Sequence, residues 1–145
     1  MPADPYRILL VEDSEADVYL MRRALESAAL NFELIVIEDG AEALAYAQDD
    51  FSEDSRPHAA VLDLNLPKSG GAEVLQALRE NKGLAALPIV VLTSSAHPRE
   101  KAAMQKLGVQ RFITKPSDLD HFLNIGNVVG DLLKANAESG DTHEP

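Results

Sequence analysis

Cysteine is absent from the 145-residue chain, so neither a disulfide framework nor a thiolate metal site can form. Long apolar runs are absent too, since no stretch approaches the roughly 18 consecutive apolar residues that a membrane span needs. The N-terminal segment MPADPYR also lacks the apolar region of a secretory signal. We therefore expect a soluble, cytoplasmic protein with no membrane association.

Basic residues are few relative to acidic ones. The chain has 13 Lys and Arg residues against 24 Asp and Glu residues, which gives a formal net charge of −11. This excess of negative charge opposes phosphate backbones and argues against direct binding of nucleic acid. It favours a cation or a basic protein surface as the partner. Acidic surfaces also serve solubility alone, and charge by itself does not separate the two explanations.

Five short apolar runs recur along the chain. Most of them are continuous rather than alternating, which predicts strands covered on both faces. Segments with helical spacing lie between the runs, for example around Val18, Met21 and Leu25. This alternation predicts an α/β fold, a doubly wound five-stranded parallel sheet with helices on both faces. The five runs are Ile8–Val11, Phe32–Ile37, Ala59–Leu62, Ile89–Leu92 and Arg111–Thr114.

The length of the chain and its 46% apolar content fit one domain with a substantial core. We expect this domain to occupy residues 1–134. A polar tail over residues 135–145 is expected to be disordered, because its composition offers little to bury. We therefore expect no DNA-binding or enzymatic output domain after Lys134.

Polar side chains directly follow four of the apolar runs. Glu12 and Asp13 follow the first, Asp63 the third, Thr93 the fourth and Lys115 the fifth. Because parallel strands bring their carboxyl ends to one edge of a sheet, these side chains are expected to gather there. Each alone could be a helix cap or a surface group. Three crowded carboxylates, however, repel one another unless positive charge lies among them.

Magnesium together with Lys115 is the positive charge that this set of side chains favours. Hard divalent cations take oxygen ligands, and Mg²⁺ combines one or two carboxylates with water and phosphate oxygens. The residues therefore indicate phosphoryl chemistry, in which a protein mainly positions groups and neutralises charge. Asp63 is the candidate nucleophile, since an aspartate can form an acyl phosphate directly.

Four segments together resemble one known family. They are ILLVEDSEAD with its acidic pair, VLDLNLPKSGG around Asp63, IVVLTSS around Thr93, and RFITKP with its Lys-Pro step. This set is similar to the receiver domains of two-component response regulators, and the resemblance spans Arg7 to about Lys134. It implies the flavodoxin-like (βα)₅ receiver fold with strand order 2-1-3-4-5.

The resemblance implies a role for each polar residue. Asp63 is expected to be the phosphoacceptor, Lys115 to pair with the acyl phosphate, and Thr93 to turn its hydroxyl onto a phosphate oxygen. Phe112 occupies the aromatic switch position, where many relatives have Tyr; it can change rotamer but cannot donate a hydrogen bond. Pro116 is expected to follow a cis peptide bond, which is essentially a proline feature.

The same resemblance implies a ligand set for Mg²⁺. Asp13, Asp63 and the backbone carbonyl of Asn65 are expected to hold the ion directly. Glu12 is expected to act largely through water. No other cofactor is implied.

The implied function is that of a stand-alone phosphorylation switch. A sensor histidine kinase or a phosphotransfer protein delivers a phosphoryl group to Asp63, and the domain then changes which proteins it binds. It catalyses only its own phosphorylation and dephosphorylation, so its product is a signal. The sequences of these motifs are most similar to those of single-domain regulators paired with bacterial phytochrome-type histidine kinases.

The last helical segment, DLDHFLNIGNVVGDLLK, carries an apolar belt wider than one core-facing stripe requires. We expect this belt to support a homodimer through the last strand and helix, a pairing common in the phytochrome-associated subgroup. The alternative is a thick core contact within one monomer. The Gly126–Gly130 spacing within the segment is weak evidence for helix pairing outside a membrane.

Two other functions remain open from the sequence alone. A magnesium-dependent phosphohydrolase of the haloacid dehalogenase type also uses an aspartyl-phosphate intermediate, but it needs a second acid two residues after the nucleophile, where this chain has Asn65. An interaction module that is never phosphorylated would not need the complete set of site residues. A flavodoxin-like cofactor carrier is a more distant third.

Overall fold

A computed structural model describes residues 4–64, 70–94 and 98–142, with the side chains of Glu100 and of residues 137–142 outside the description. Strands and helices alternate through these residues as the sequence predicts. The strands are β1 (Tyr6–Val11), β2 (Phe32–Ile37), β3 (Ala59–Asp63), β4 (Ile89–Thr93) and β5 (Arg111–Thr114). The helices are α1 (Glu15–Ser27), α2 (Gly40–Ala47), α3 (Gly71–Glu80), α4 (Pro98–Lys106) and α5 (Leu119–Thr142), with a short 3-10 turn at Lys82–Leu84.

The five strands form one parallel sheet in the order β2-β1-β3-β4-β5, which confirms the predicted doubly wound topology. Successive side chains of each strand enter opposite cores. Leu9, Val11 and Leu62 pack with residues of α2 and α3 on one face. Ile8 and Leu10 pack with residues of α1 and α5 on the other. Because both faces of the sheet are covered, the inner strands are apolar except near their ends, and this explains why their sequences are continuous rather than alternating.

Helix α1 begins directly behind the acidic pair of the first strand. Ser14 is its N-cap, and the Ser14 hydroxyl accepts a hydrogen bond from the backbone N–H of Asp17 at 3.3 Å. Glu15 and Asp17 place negative charge in the first turn, where the positive end of the helix dipole stabilises it. The cap therefore fixes both the start of the helix and the position of Asp17.

Helices α1 and α5 meet backbone to backbone on one face of the sheet. A Cβ atom built on Gly126 of α5 would overlap the carbonyl oxygen of Ala24 and lie 2.5 Å from its carbonyl carbon. Only glycine allows this approach. At Gly130, one turn later, a Cβ would lie 3.5 Å from the Leu30 side chain, an ordinary van der Waals contact. The Gly126 half of the GxxxG spacing thus serves helix packing within the domain.

The apolar belt of α5 is largely accounted for inside the monomer. Phe122, Ile125, Val129 and Leu133 are buried between α1 and the sheet. Leu119, the first residue of the helix, remains 55% exposed. The thick core contact that the sequence left as an alternative therefore explains most of this segment.

Helix α5 continues to Thr142, beyond Lys134, although the sequence predicts a disordered tail from residue 135 onward. Its last residues are polar, and a helix already begun continues by adding one hydrogen bond per residue. The division of the chain at residue 134 stays a prediction. Across the described ranges, no helix has both the length and the apolar character needed to cross a bilayer.

Candidate functional site

The residues predicted to gather at the carboxyl edge of the sheet do so. Glu12 and Asp13 follow the end of β1, Asp63 is the last residue of β3, and Thr93 is the last residue of β4. Lys115 comes directly after β5, and its backbone N–H donates to the Thr93 carbonyl oxygen at 2.7 Å. Parallel strands in register thus bring distant parts of the sequence to one place.

Three carboxylates form a compact oxygen cluster at this edge. One oxygen from each of Glu12, Asp13 and Asp63 lies within 4.8 Å of the others. Glu12 and Asp63 are buried, with exposed fractions of 1% and 2%, whereas Asp13 is exposed. The cluster is therefore closed on the protein side and open to solvent on the Asp13 side, as a partly hydrated cation or an incoming phosphoryl group requires.

Lys115 supplies the fixed positive charge of the site. Its Nζ lies 2.7 Å from Asp17 Oδ2, 3.2 Å from Glu12 Oε2 and 3.3 Å from Asp63 Oδ2. Burial by itself lowers the pKa of Lys115, but the hydrogen bond to Asp17 and the charges of Glu12 and Asp63 raise it above its ordinary value. The ammonium group consequently stays protonated at physiological pH.

The carboxyl group of Glu12 is buried next to a second acid, Asp63. Burial, followed by the charge of Asp63, raises the pKa of Glu12 to about 7, although the Ser14 N–H and Lys115 act in the opposite direction. Its Oε1 accepts from the Ser14 N–H at 3.1 Å and its Oε2 from Lys115. Both oxygens of Glu12 therefore have hydrogen-bond donors within the protein.

The oxygen-only ligands of the cluster fit a hard divalent cation. Asp13 and Asp63 offer carboxylate oxygens that are among the preferred ligands of Mg²⁺, and the described residues contain no cysteine or clustered histidine that would favour a softer metal. The backbone carbonyl of Asn65, which the sequence analysis assigns to the same ion, lies outside the described residues.

The two predicted switch residues lie on β4 and β5. Thr93 is 1% exposed. Phe112 is half-buried on β5, where it pairs with Val91 of β4 and packs against the core under α2 and α3. The bond between Lys115 and Pro116 is trans, so the expectation of a cis peptide was wrong. The trans form is preferred even before proline, by about 0.5 to 1 kcal/mol.

Asp17 is the residue of this site that the sequence analysis missed. It contributes the shortest ion pair to Lys115, from the first turn of α1. An acid in the first turn of a helix is common for reasons of helix stability alone, so its position carried no signal for the site.

Residues 8–126 match the family described as response regulator receiver domain. The chain belongs to this family. This receiver domain is 40% identical to response regulator Rcp1 from Synechocystis sp. over 117 residues, which cover 79% of this chain and 80% of Rcp1. It is also 36% identical over 114 residues to the probable methanogenesis regulatory protein FilR2 from Methanothrix harundinacea, covering 78% of this chain and 74% of FilR2.

Solved structures agree with this assignment. The phosphorylated cyanobacterial phytochrome response regulator RcpA superimposes with a TM-score of 0.79 at 32% identity, covering 92% of this chain and 96% of RcpA. The Mn²⁺-bound form of Rcp1 superimposes with a TM-score of 0.75 at 38% identity, covering 86% of this chain and 91% of Rcp1. The chain is thus a receiver domain of a two-component response regulator, as its motifs predict, and the phosphohydrolase and flavodoxin-like alternatives lose their basis.

Proposed function

We propose that this receiver domain is a phosphorylation switch whose phosphoacceptor is Asp63. The observation that carries this proposal is the pairing of a buried Asp63 carboxylate with Lys115 Nζ at 3.3 Å, inside the oxygen cluster with Glu12 and Asp13. Negative charge that develops on the transferred phosphoryl group would be stabilised by this ammonium group. The donor is a phosphohistidine of a sensor kinase or of a phosphotransfer protein.

The reaction is a transfer of one phosphoryl group from nitrogen to oxygen. A carboxylate oxygen of Asp63 attacks phosphorus, the phosphorus–nitrogen bond of the phosphohistidine breaks, and its electron pair remains on the imidazole nitrogen. Lys115 stabilises negative charge on the phosphoryl oxygens. Hydrolysis of the acyl phosphate by water reverses the signal, so the domain catalyses its own phosphorylation and dephosphorylation and nothing else.

Mg²⁺ is the cation that we assign to the cluster. Asp13, Asp63 and the backbone carbonyl of Asn65 would hold it, with Glu12 contacting it through water. When bound, the ion neutralises the carboxylates and the oxygens of the transferred group. The Mn²⁺-bound form of Rcp1 shows that a related receiver domain binds a divalent cation.

We propose that Thr93 and Phe112 change side-chain position when Asp63 is phosphorylated. We assign to the Thr93 hydroxyl a hydrogen bond with a phosphoryl oxygen, and to Phe112 a change of rotamer toward the space that Thr93 leaves. Phe112 lacks a hydroxyl group and so contributes packing alone. The surface of α4, β5 and α5 would then bind different protein partners.

The cognate donor that we propose is a phytochrome-type histidine kinase. Support comes from RcpA, a cyanobacterial phytochrome response regulator that aligns over 92% of this chain. The cytoplasm, where such kinases present their phosphohistidine, is the compartment that this pairing implies. Direct binding to nucleic acid is not part of the proposal, because the net charge of −11 opposes it.

Acetyl phosphate tests the assignment of Asp63. With Mg²⁺, the wild-type protein should become phosphorylated, as seen by intact mass or a phosphate-affinity gel, whereas Asp63→Asn should show no phosphorylation because an amide oxygen is a poor nucleophile. Asp131→Asn changes an exposed acid on α5 and should behave as wild type. Equal labelling of wild type and Asp63→Asn would refute the assignment.

We also propose a homodimer through β5 and α5. Within the described part of the chain β5 is an edge strand that pairs with β4 alone, and the exposed side chain of Leu119 lies at the start of the neighbouring helix. An edge strand and an exposed apolar side chain are both features at which a second copy can pair. The rest of the α5 belt is buried and does not contribute to this argument.

Leu119→Asp tests the dimer by light scattering. Wild-type protein should have the mass of a dimer and Leu119→Asp that of a monomer, because a carboxylate buried in the contact would lose its water. Tyr19→Asp is the matched control, since Tyr19 is 61% exposed on α1. A monomeric wild type, or equal masses for both aspartate variants, would contradict the proposed interface. Val129 is unsuitable for this test because it is fully buried.

A further inference from the structure

The shortest contact of Lys115 is with Asp17 rather than with the proposed phosphoacceptor. The distance from Nζ to Asp17 Oδ2 is 2.7 Å, against 3.3 Å to Asp63 Oδ2. An ammonium group has three N–H donors, and the contacts with Asp17, Glu12 and Asp63 account for all of them. A phosphoryl oxygen on Asp63 can therefore gain a hydrogen bond from Lys115 only if one of these three acceptors gives one up, and the short contact with Asp17 holds the ammonium away from the phosphoryl group.

The position of Asp17 is set by the fold. Its backbone N–H is bound by the Ser14 cap, and its side chain, 25% exposed, turns toward Lys115 rather than away into water. A carboxylate in the first turn stabilises the helix equally well when it points into water, as the exposed Glu15 does. The ion pair with Lys115 consequently needs an explanation of its own.

Asp17 also adds negative charge to a site that must accept more. The cluster suited to a cation consists of Glu12, Asp13 and Asp63 and does not include Asp17. A cation at that cluster neutralises its own ligands first, whereas the Asp17 carboxylate is neutralised mainly by Lys115. Each further negative charge near the site disfavours the phosphorylated form.

We propose that Asp17 is a positioning residue that competes with the phosphoryl group for the Lys115 ammonium and thereby weakens retention of the phosphoryl group. In the phosphorylated protein one N–H of Lys115 moves from Asp17 Oδ2 to a phosphoryl oxygen, and no covalent bond changes in this exchange. The inference rests on the proposed role of Asp63 as phosphoacceptor. It assigns to the first turn of α1 a direct part in setting the lifetime of the signal.

Beryllofluoride, a phosphoryl analogue that would bind at Asp63, tests this competition. Titrated with excess Mg²⁺ and followed by amide NMR, Asp17→Asn should bind beryllofluoride about fivefold more tightly than wild type. Glu15→Gln removes the same charge from the same helical turn without touching Lys115, and it should stay within about twofold of wild type. Asp17→Glu, which keeps the carboxylate, should restore affinity toward that of wild type.

The affinity for Mg²⁺ alone separates positioning from a general structural role. In the absence of beryllofluoride, Asp17→Asn should bind Mg²⁺ no more tightly than wild type, because removal of a negative charge does not favour a cation. Tighter analogue binding with unimproved Mg²⁺ binding supports the competition. Weaker binding of both probes, or equal analogue affinities for Asp17→Asn and Glu15→Gln, would overturn it. A wild-type protein that fails to respond to beryllofluoride would instead disprove the role of Asp63, and this inference with it.

Discussion

Gly126→Ala is expected to lower the free energy of unfolding by about 3 kcal/mol, the upper part of the usual range for overpacking a core. The added Cβ would overlap the carbonyl oxygen of Ala24, which belongs to the backbone of α1 and cannot turn away as a side chain could. Helices α1 and α5 must therefore separate, and the buried contacts of Met21 and Ile125 between them loosen. Urea denaturation followed by circular dichroism would measure the change.

Gly130→Ala is the matched control for this prediction. Its Cβ would make an ordinary contact at 3.5 Å with Leu30, so the substitution should be neutral or stabilising by up to about 1 kcal/mol through the better helix propensity of alanine. Both variants add one methyl group to the same helix, one turn apart. If the two proteins unfold at the same urea concentration, α1 and α5 do not approach each other as closely as the structure shows.

A rise in pH should destabilise the metal-free protein through Glu12. Its pKa is raised from 4.5 to about 7 in the folded state, so between these values the folded protein keeps a proton that the unfolded chain releases. Stability must then fall as pH rises through this window and level off above it. The full difference corresponds to about 3 kcal/mol.

Glu12→Gln removes this dependence, because the amide cannot ionise. Denaturation in the presence of a chelator, at about pH 4 and about pH 8, should show wild type losing about 3 kcal/mol relative to Glu12→Gln. Excess Mg²⁺ should cancel much of the loss, since a nearby cation favours the ionised carboxylate. Stability curves that stay parallel over this range would show that Glu12 is not held in the environment described.

The sequence predicted the strands closely because each is a short apolar run ended by a polar residue. β2 and β5 have the predicted bounds, and β3 and β4 are each one residue longer, ending on Asp63 and Thr93. Burial on both faces makes such runs distinctive. The same feature placed the carboxylates and Lys115 at one edge, since parallel strands share a direction.

The features that the sequence missed depend on contacts between distant elements. Asp17 and Lys115 are 98 positions apart, and no local pattern shows that the two side chains meet. The belt of α5 was assigned to a dimer because the close contact at Gly126, which lets α1 cover so much of that helix, is visible only in three dimensions. Apolar periodicity shows that a face is buried but not which surface buries it.

The position of β1 between two partner strands affects how the chain is made as well as how it folds. Its residue Ile8 pairs with Leu34 of β2 on one side and with Ala59 of β3 on the other. During synthesis this strand leaves the ribosome long before β3 exists, so an apolar segment stays half-paired while the intervening chain is translated. One edge of β1 therefore stays without its partner strand until the chain has been translated beyond Ala59.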